Sequence, residues 1–479
     1  MRRMMIVLTL AGACALPQIA TSSAASVAGR AYGGGDASVR LVNPVVQWNR
    51  TLLAIVRIPP AQPATIHPTR SFAIMHAAIY DAVNAINKRH TPYLVRVKNV
   101  SVFSSEDAAA AAAAHDVLAA LYPQFLTMLD AQLQDSLANV SDGYSLIEGI
   151  RVGQTVAARI LAFRQHDGSS AQPLRYIFGS NPGDYQSTPP NFPQQPQFTH
   201  WSHVTPFTLP RANLFRPGPP PALTSERYAD ALNEVKSLGT ANGTASPDQA
   251  LVGRFWNGAI QNYWNEIAQT ATEARHLGTA ERARVFALLN FAIADGVIAF
   301  YDAKYTYNRW RPATAIRAAD VDGNAETVGD PNWLPEVGST APDPSFPGAH
   351  AVISAAARNV LISTLERDRF ALTVTSEVLP GITRSFESLS AAADEATLSR
   401  IFAGVHFRFD ETRGSRLGSR IADFVVDNFL TRRESEDDKG EDTRMHNQGA
   451  ANQSFDAIRD PECCVTIGLG PRIHGELLK

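Results

Sequence analysis

Cysteine is scarce: Cys14, Cys463 and Cys464 are the only three in 479 residues. The adjacent pair Cys463–Cys464 reads as structural or spare thiols, and neither a paired C-x2-C spacing nor an HExxH stretch offers zinc a site. An excess of either charge is missing as well. Lys and Arg number 43 against 46 Asp and Glu, a formal net charge of -3, so there is no broad basic field for nucleic acid and any positive site must be local. Period-two alternation is confined to fragments such as Leu372–Val374, which excludes a sheet-based fold and leaves an all-α one. The first apolar run, Met4 to Leu16, is interrupted by Pro17 and Gln18 before the roughly 20 residues a transmembrane helix needs.

With 45% hydrophobic and 19% charged residues, the chain can bury a large core. Residues 1–28 carry a basic start at Arg2-Arg3, an apolar stretch and a small-residue run to Ala28, the pattern of a signal peptide. Export to the periplasm or the medium is the expectation. A helical N-terminal region, 29–224, follows. One helix is expected from about Val42 to Ile86, with Phe72, Met75, His76, Ile79, Tyr80 and Val83 on an apolar face and His76 a core histidine. Ser104 or Ser105 should cap the next, ahead of the run Ala108–Ala114, and a third helix spans Tyr144 to Arg164.

Residues 172–224 hold twelve prolines and are expected to form an ordered wrap across the surface, with Trp201 as an anchor and a cleft beneath. Helices resume over 225–432. The remainder, 433–479, is a polar tail whose charged start, 432–444, reads as a solvated loop.

Chemistry concentrates between Lys304 and Asp410. Thr279 can cap a helix whose stretch Val285–Phe300 looks buried all round, and Lys304 and Arg311, seven apart, share a face if that helix persists to Trp310. Pro347-Gly348-Ala349-His350 opens another helix, capped by Ser345 or nearby backbone. Its free amides and dipole suit an anion, and His350 stands within one turn. His406 and Asp410 are four apart, so a carboxylate can hold one ring nitrogen and leave the other as nucleophile or ligand. Gly414 and Gly418 continue that face and let another helix come close. Arg400 reaches the same place only if the chain bends near Gly404.

In this order, K-x6-R-P over 304–312, P-G-A-H over 347–350 and S-R-x5-H-x3-D over 399–410 resemble the motifs of the vanadium-dependent haloperoxidases, in the type 2 phosphatidic acid phosphatase / haloperoxidase superfamily. Trp310 and the tract Leu398–Asp410 look closer to the haloperoxidase branch. The resemblance implies a large helical bundle of the haloperoxidase / acid phosphatase type and a bound vanadate, with phosphate in its place in a phosphatase. It implies that Lys304, Arg311 and Arg400, with the backbone at Gly348 and Ala349, hold the oxyanion. His406 becomes the vanadium ligand or phosphorylated nucleophile, His350 the acid–base group, and Asp410 the carboxylate that orients His406. The implied substrates are small molecules: peroxide, a halide and an organic acceptor, or a phosphate ester. An oxyanion-binding protein without catalysis is the third reading. Two positions depart from the pattern. Gly348 and Ala349 replace the family's Ser-Gly, removing a hydroxyl worth about 1.5–3 kcal/mol to a charged partner. Asp343 stands where haloperoxidases carry an aromatic residue or histidine, and would repel halide if it points inward.

Overall fold

The longest helix is built to be covered. Every residue from 285 to 301 is buried, and 94% of its most apolar window lies inside protein, although by length and composition alone it could cross a membrane. A helix that is apolar all round belongs in a core. The computed structural model describes residues 43–433, apart from Ala64, Asn139 and Asp142. The expected signal segment, Cys14, Cys463, Cys464 and the tail beyond Arg433 lie outside the described residues.

Thirteen α-helices and one hairpin make up the described chain. Before the proline-rich stretch come α1 (Pro44–Val56), α2 (Pro68–Asn87), α3 (Glu106–Leu121), α4 (Leu126–Leu137) and α5 (Tyr144–Arg164). After it come α6 (Glu226–Leu238), α7 (Pro247–Phe255), α8 (Ile260–Ala274), the long α9 (Thr279–Tyr307), α10 (Pro312–Arg317) and α11 (Ala349–Leu365). The hairpin β1 (Arg369–Thr375) and β2 (Thr383–Ser388) then leads to α12 (Leu389–Phe402) and α13 (Arg408–Asn428). One apolar core draws on helices from both sides of residue 225, with α9 packed against α2, α11 and α13.

The all-α expectation holds. Ser105 caps α3 through the Ala108 amide at 3.1 Å, and the alanine run packs so closely on α5 that a Cβ at Gly153 would lie 2.4 Å from the Ala109 carbonyl oxygen. His76 is a core residue, its Nε2 2.9 Å from Asn49 Oδ1 and its ring stacked on Phe286.

Four local expectations need correction. The single helix over 42–86 is two, because Pro59, Pro60 and Pro63 interrupt it between α1 and α2. Helix α4 has one buried residue, Leu129, and therefore too faint an apolar stripe to read in advance. Strands do occur: β1 pairs antiparallel with β2 and alternates exposed and buried along Arg369–Thr375, although β2 carries a single large apolar residue, Phe386. Thr279 begins α9 rather than capping it, and Glu281 instead accepts from the Gly278 amide at 3.0 Å.

Across 172–224 the only regular piece is one 3-10 turn, Trp201–His203, with Trp201 buried as an anchor. The stretch is pinned by its backbone: Asp295 of α9 accepts from the amides of Phe207, Thr208 and Leu209 at 2.6, 2.8 and 2.9 Å. Tyr307 donates to the Pro217 carbonyl at 2.6 Å.

Candidate active site

The end of α9 sets the site. Asn308 takes the left-handed conformation (φ 47°) and stops the helix three residues before Arg311, so Lys304 and Arg311 do not share a helical face. They meet through Asp343 instead. Lys304 Nζ lies 3.0 Å from Asp343 Oδ1 and also donates to the carbonyls of Pro344 and Ser345, which commits all three of its hydrogens. Arg311 donates through Nη2 to the same carboxylate oxygen, through Nε to the Asp343 carbonyl at 2.7 Å, and through Nη1 to the Val405 carbonyl at 2.9 Å. Asp343 does point inward, as the counter-ion of two expected oxyanion ligands. Gln197, from the proline-rich wrap, donates to its other oxygen at 3.0 Å, so the wrap does reach the site.

Histidine 406 sits just before α13, outside the helix that was expected to present it, and still reaches Asp410. Its Nδ1 is 3.1 Å from Asp410 Oδ2, and its Nε2 is 3.0 Å from Arg311 Nη1. Arginine can only donate and a carboxylate oxygen accepts, so these partners assign the proton to Nδ1 and the lone pair to Nε2. Burial, then the charges of Arg311 and Lys304, hold the imidazole well below its ordinary pKa, in the neutral form a metal ligand needs. Asp410 also accepts from Ser345 Oγ and from the Phe407 amide at 3.0 Å. Burial pushes its carboxyl up to about 6 against those hydrogen bonds. Ser345 is thereby used on Asp410, and α11 has no side-chain cap: Gly348 is its N-cap.

Gly404 (φ 78°) supplies the bend that turns Arg400 back toward the others. Arg400 is 7% exposed, its Nη atoms lie 3.3 and 3.2 Å from Asn257 Oδ1, and its Nε has no partner. His350 is half-buried. Its Nε2 meets the Trp256 carbonyl at 2.9 Å, which leaves the lone pair on Nδ1, and burial followed by the charge of Arg400 holds it neutral. His350 and Arg400 both act electrostatically on His406. Lys304, Arg311 and His406 thus meet around Asp343 and Ser345, just ahead of α11, while His350 and Arg400 hold the adjacent Trp256 and Asn257. At this start of α11 the amides of Ala349 and His350 have no intrahelical acceptor.

Sequence reasoning missed Gln197, Trp256 and Asn257, whose only signal is their position in the fold. It also missed Glu411, which directly follows Asp410 on the face that Gly414 and Gly418 make close. A Cβ at Gly418 would lie 2.1 Å from the Val352 carbonyl oxygen of α11. Glu411 is 2% exposed and neither carboxyl oxygen has a hydrogen-bond partner. Burial, then Asp410, pushes its pKa up, with Arg400 opposing.

An unpartnered guanidinium nitrogen, free helix amides and a lone-pair imidazole nitrogen form a donor set that fits a tetrahedral oxyanion, vanadate included. Lys304 would contribute charge rather than a hydrogen bond while Asp343 holds it.

A polar cluster of this kind at a helix start inside an all-α bundle is the feature to set beside known proteins. Residues 284–434 match the family described as VCPO second helical-bundle domain. Over 324 residues the chain is 26% identical to the vanadium chloroperoxidase of Curvularia inaequalis, and this match spans 51% of this chain and 52% of that protein, about half of each. The structure of the first bacterial vanadium-dependent iodoperoxidase has a TM-score of 0.69 at 26% identity, covering 82% of this chain and 97% of that one. A holo-type bacterial vanadium-dependent chloroperoxidase gives 0.61 at 15% identity, covering 82% and 94%, a likeness of fold alone. In sequence and in fold the chain is thus similar to vanadium-dependent haloperoxidases, and its residues 284–434 match the second helical-bundle domain.

Proposed function

We propose that the chain is a haloperoxidase that uses peroxide to oxidise a halide at a vanadate bound on the start of α11. The observation that carries this reading is His406: a buried neutral imidazole with Nδ1 turned to Asp410 and Nε2 left as the lone-pair nitrogen amid three cations. Vanadate, when bound, supplies Lewis-acid activation of peroxide toward a halide. His406 Nε2 would be its protein ligand. Arg400, the remaining N–H of Arg311 and the amides of Ala349 and His350 would hold its oxygens. His350, neutral and half-exposed, takes up a proton on Nδ1 and returns it, while its Nε2–H stays on the Trp256 carbonyl and fixes the ring. Asp410 keeps the His406 tautomer and ring plane. Residues 1–28 support the accompanying proposal that the enzyme is exported and works in the periplasm or the medium.

The His406–Asp410 pair also supports a second reading, a phosphatase in which Nε2 attacks a phosphate ester. One preparation separates the readings. It is assayed with vanadate, peroxide and bromide, and separately with p-nitrophenyl phosphate and no vanadate. Bromination that requires vanadate and falls to background in His406→Ala is the expected result. Phosphate release inhibited by vanadate would replace it with the phosphatase, and neither activity would leave an oxyanion-binding protein.

A further inference from the structure

Gly348 stands where the family's motif has serine, and the structure shows what fills that space. A Cβ built on Gly348 would lie 2.0 Å from Glu411 Oε1 and 2.6 Å from its carboxyl carbon, far inside van der Waals contact. The glycine and the glutamate are therefore coupled: the carboxyl group lies where a side chain at 348 would begin. Helix α13 brings it there. The Gly348 amide donates to the Asp410 carbonyl at 3.1 Å, and a Cβ at Gly414 would sit 2.6 Å from the Gly348 carbonyl oxygen, so the start of α11 lies against the first turns of α13.

The glutamate lies beside the groups assigned to the oxyanion. Its Oε1 is 3.7 Å from His406 Nδ1, and the charges of Arg400, Lys304 and Arg311 all act on it. Asp343, in the same cluster, is held by Lys304, Arg311 and Gln197, and Asp410 by Ser345, His406 and the Phe407 amide. Glu411 alone among these three carboxylates has both oxygens unpartnered. A buried carboxyl in that state costs the fold free energy unless a ligand completes it.

We propose that Glu411 reaches the bound oxyanion through the gap at Gly348 and shares a hydrogen bond with it, in place of the hydroxyl that residue 348 lacks. This rests on the oxyanion reading of the site. Vanadate and phosphate both carry O–H groups near neutrality, so the hydrogen in the contact can come from the anion or from the carboxyl, and the pairing is the same. Glutamate 411 is thus a determinant of which oxyanions fit: its contact needs a hydrogen between two oxygens.

The test measures binding rather than turnover. Equilibrium dialysis of the full chain with vanadate, and separately with phosphate, is run on wild type, Glu411→Ala, Glu411→Gln, Gly348→Ser and the Gly348→Ser/Glu411→Ala double variant. Glu411→Ala should weaken both anions about 10- to 100-fold, the range of one hydrogen bond to a charged group. Glu411→Gln, whose amide can donate, should retain most of the affinity. Gly348→Ser alone should bind poorly because the new Cβ meets Oε1, and the double variant should recover, having both the room and a hydroxyl. That recovery is a non-additivity a purely structural role would not produce. Unchanged affinity in Glu411→Ala, or no recovery in a folded double variant, overturns the proposal. If Gly348→Ser fails to fold, Glu411→Ala and the double variant decide. Wild type that binds neither anion would overturn the oxyanion reading itself, which is a different outcome from wild type that binds and a Glu411→Ala that binds equally well.

Discussion

Asp295 and Glu411 are equally buried carboxylates on helices of the same bundle, and the chain treats them in opposite ways. Asp295 accepts three backbone amides and the Thr208 hydroxyl, so it ties the proline-rich wrap to α9. Asp81 does the same for the chain after α2, accepting from the amides of Tyr93, Leu94 and Val95 at 2.7, 2.9 and 2.7 Å. Glu411 accepts nothing. A carboxylate whose lone pairs are filled by backbone amides is scaffold. One left empty in the core costs the fold free energy that a ligand can relieve.

That contrast can be broken most sharply at Asp295. Asp295→Ala leaves three amides and a hydroxyl without an acceptor in the core, and should lower the unfolding free energy by about 3–5 kcal/mol in denaturant titration. A loss under about 1 kcal/mol would mean that the wrap is held by its aromatic anchors instead.

Next in size comes a buried histidine on the scaffold side. Burial drops the His76 pKa to about 3. The unfolded chain therefore takes up a proton below about pH 6.5 that the folded chain refuses, and His76's contribution to stability, fully present above that pH, is lost as pH falls. The stability difference between wild type and His76→Gln should shift by about 2 kcal/mol against wild type between pH 7 and pH 5. A difference that stays flat across that range would place His76 in water in the folded state.

The smallest effect is expected at the site. Glu411→Gln should change the unfolding free energy by less than about 1 kcal/mol, or raise it, because no protein hydrogen bond is lost. A loss comparable to that of Asp295→Ala would make Glu411 scaffold after all.

Legibility in the sequence followed the range of the interaction. The apolar run in α9, the alanine run in α3 and the small residues Gly414 and Gly418 are local signals, and each led to the right packing. The motif residues Lys304, Arg311, His350, Arg400, His406 and Asp410 were also legible, and they do meet. Their manner of meeting was not. A left-handed Asn308 ended α9 early, Ser345 turned from a cap into a partner of Asp410, and Asp343 took up two of the cations. Those outcomes depend on contacts between residues 39 and 65 positions apart, which no periodicity encodes. Glu411 was overlooked because a glutamate next to an aspartate in a first helical turn reads as a response to the helix dipole. Only the empty side of Gly348 gives it another meaning.

Helix α9 carries one more consequence. Its covering partners are α2, made long before it, and α11 and α13, made well after it. Until the chain past Asn428 has been synthesised, a stretch greasy enough for lipid has only part of its sheath. Truncations that stop short of α13 should therefore yield sticky, sedimenting material rather than a smaller folded protein, and α13, the last helix among the described residues, acts as the clasp that makes the nascent chain safe to release.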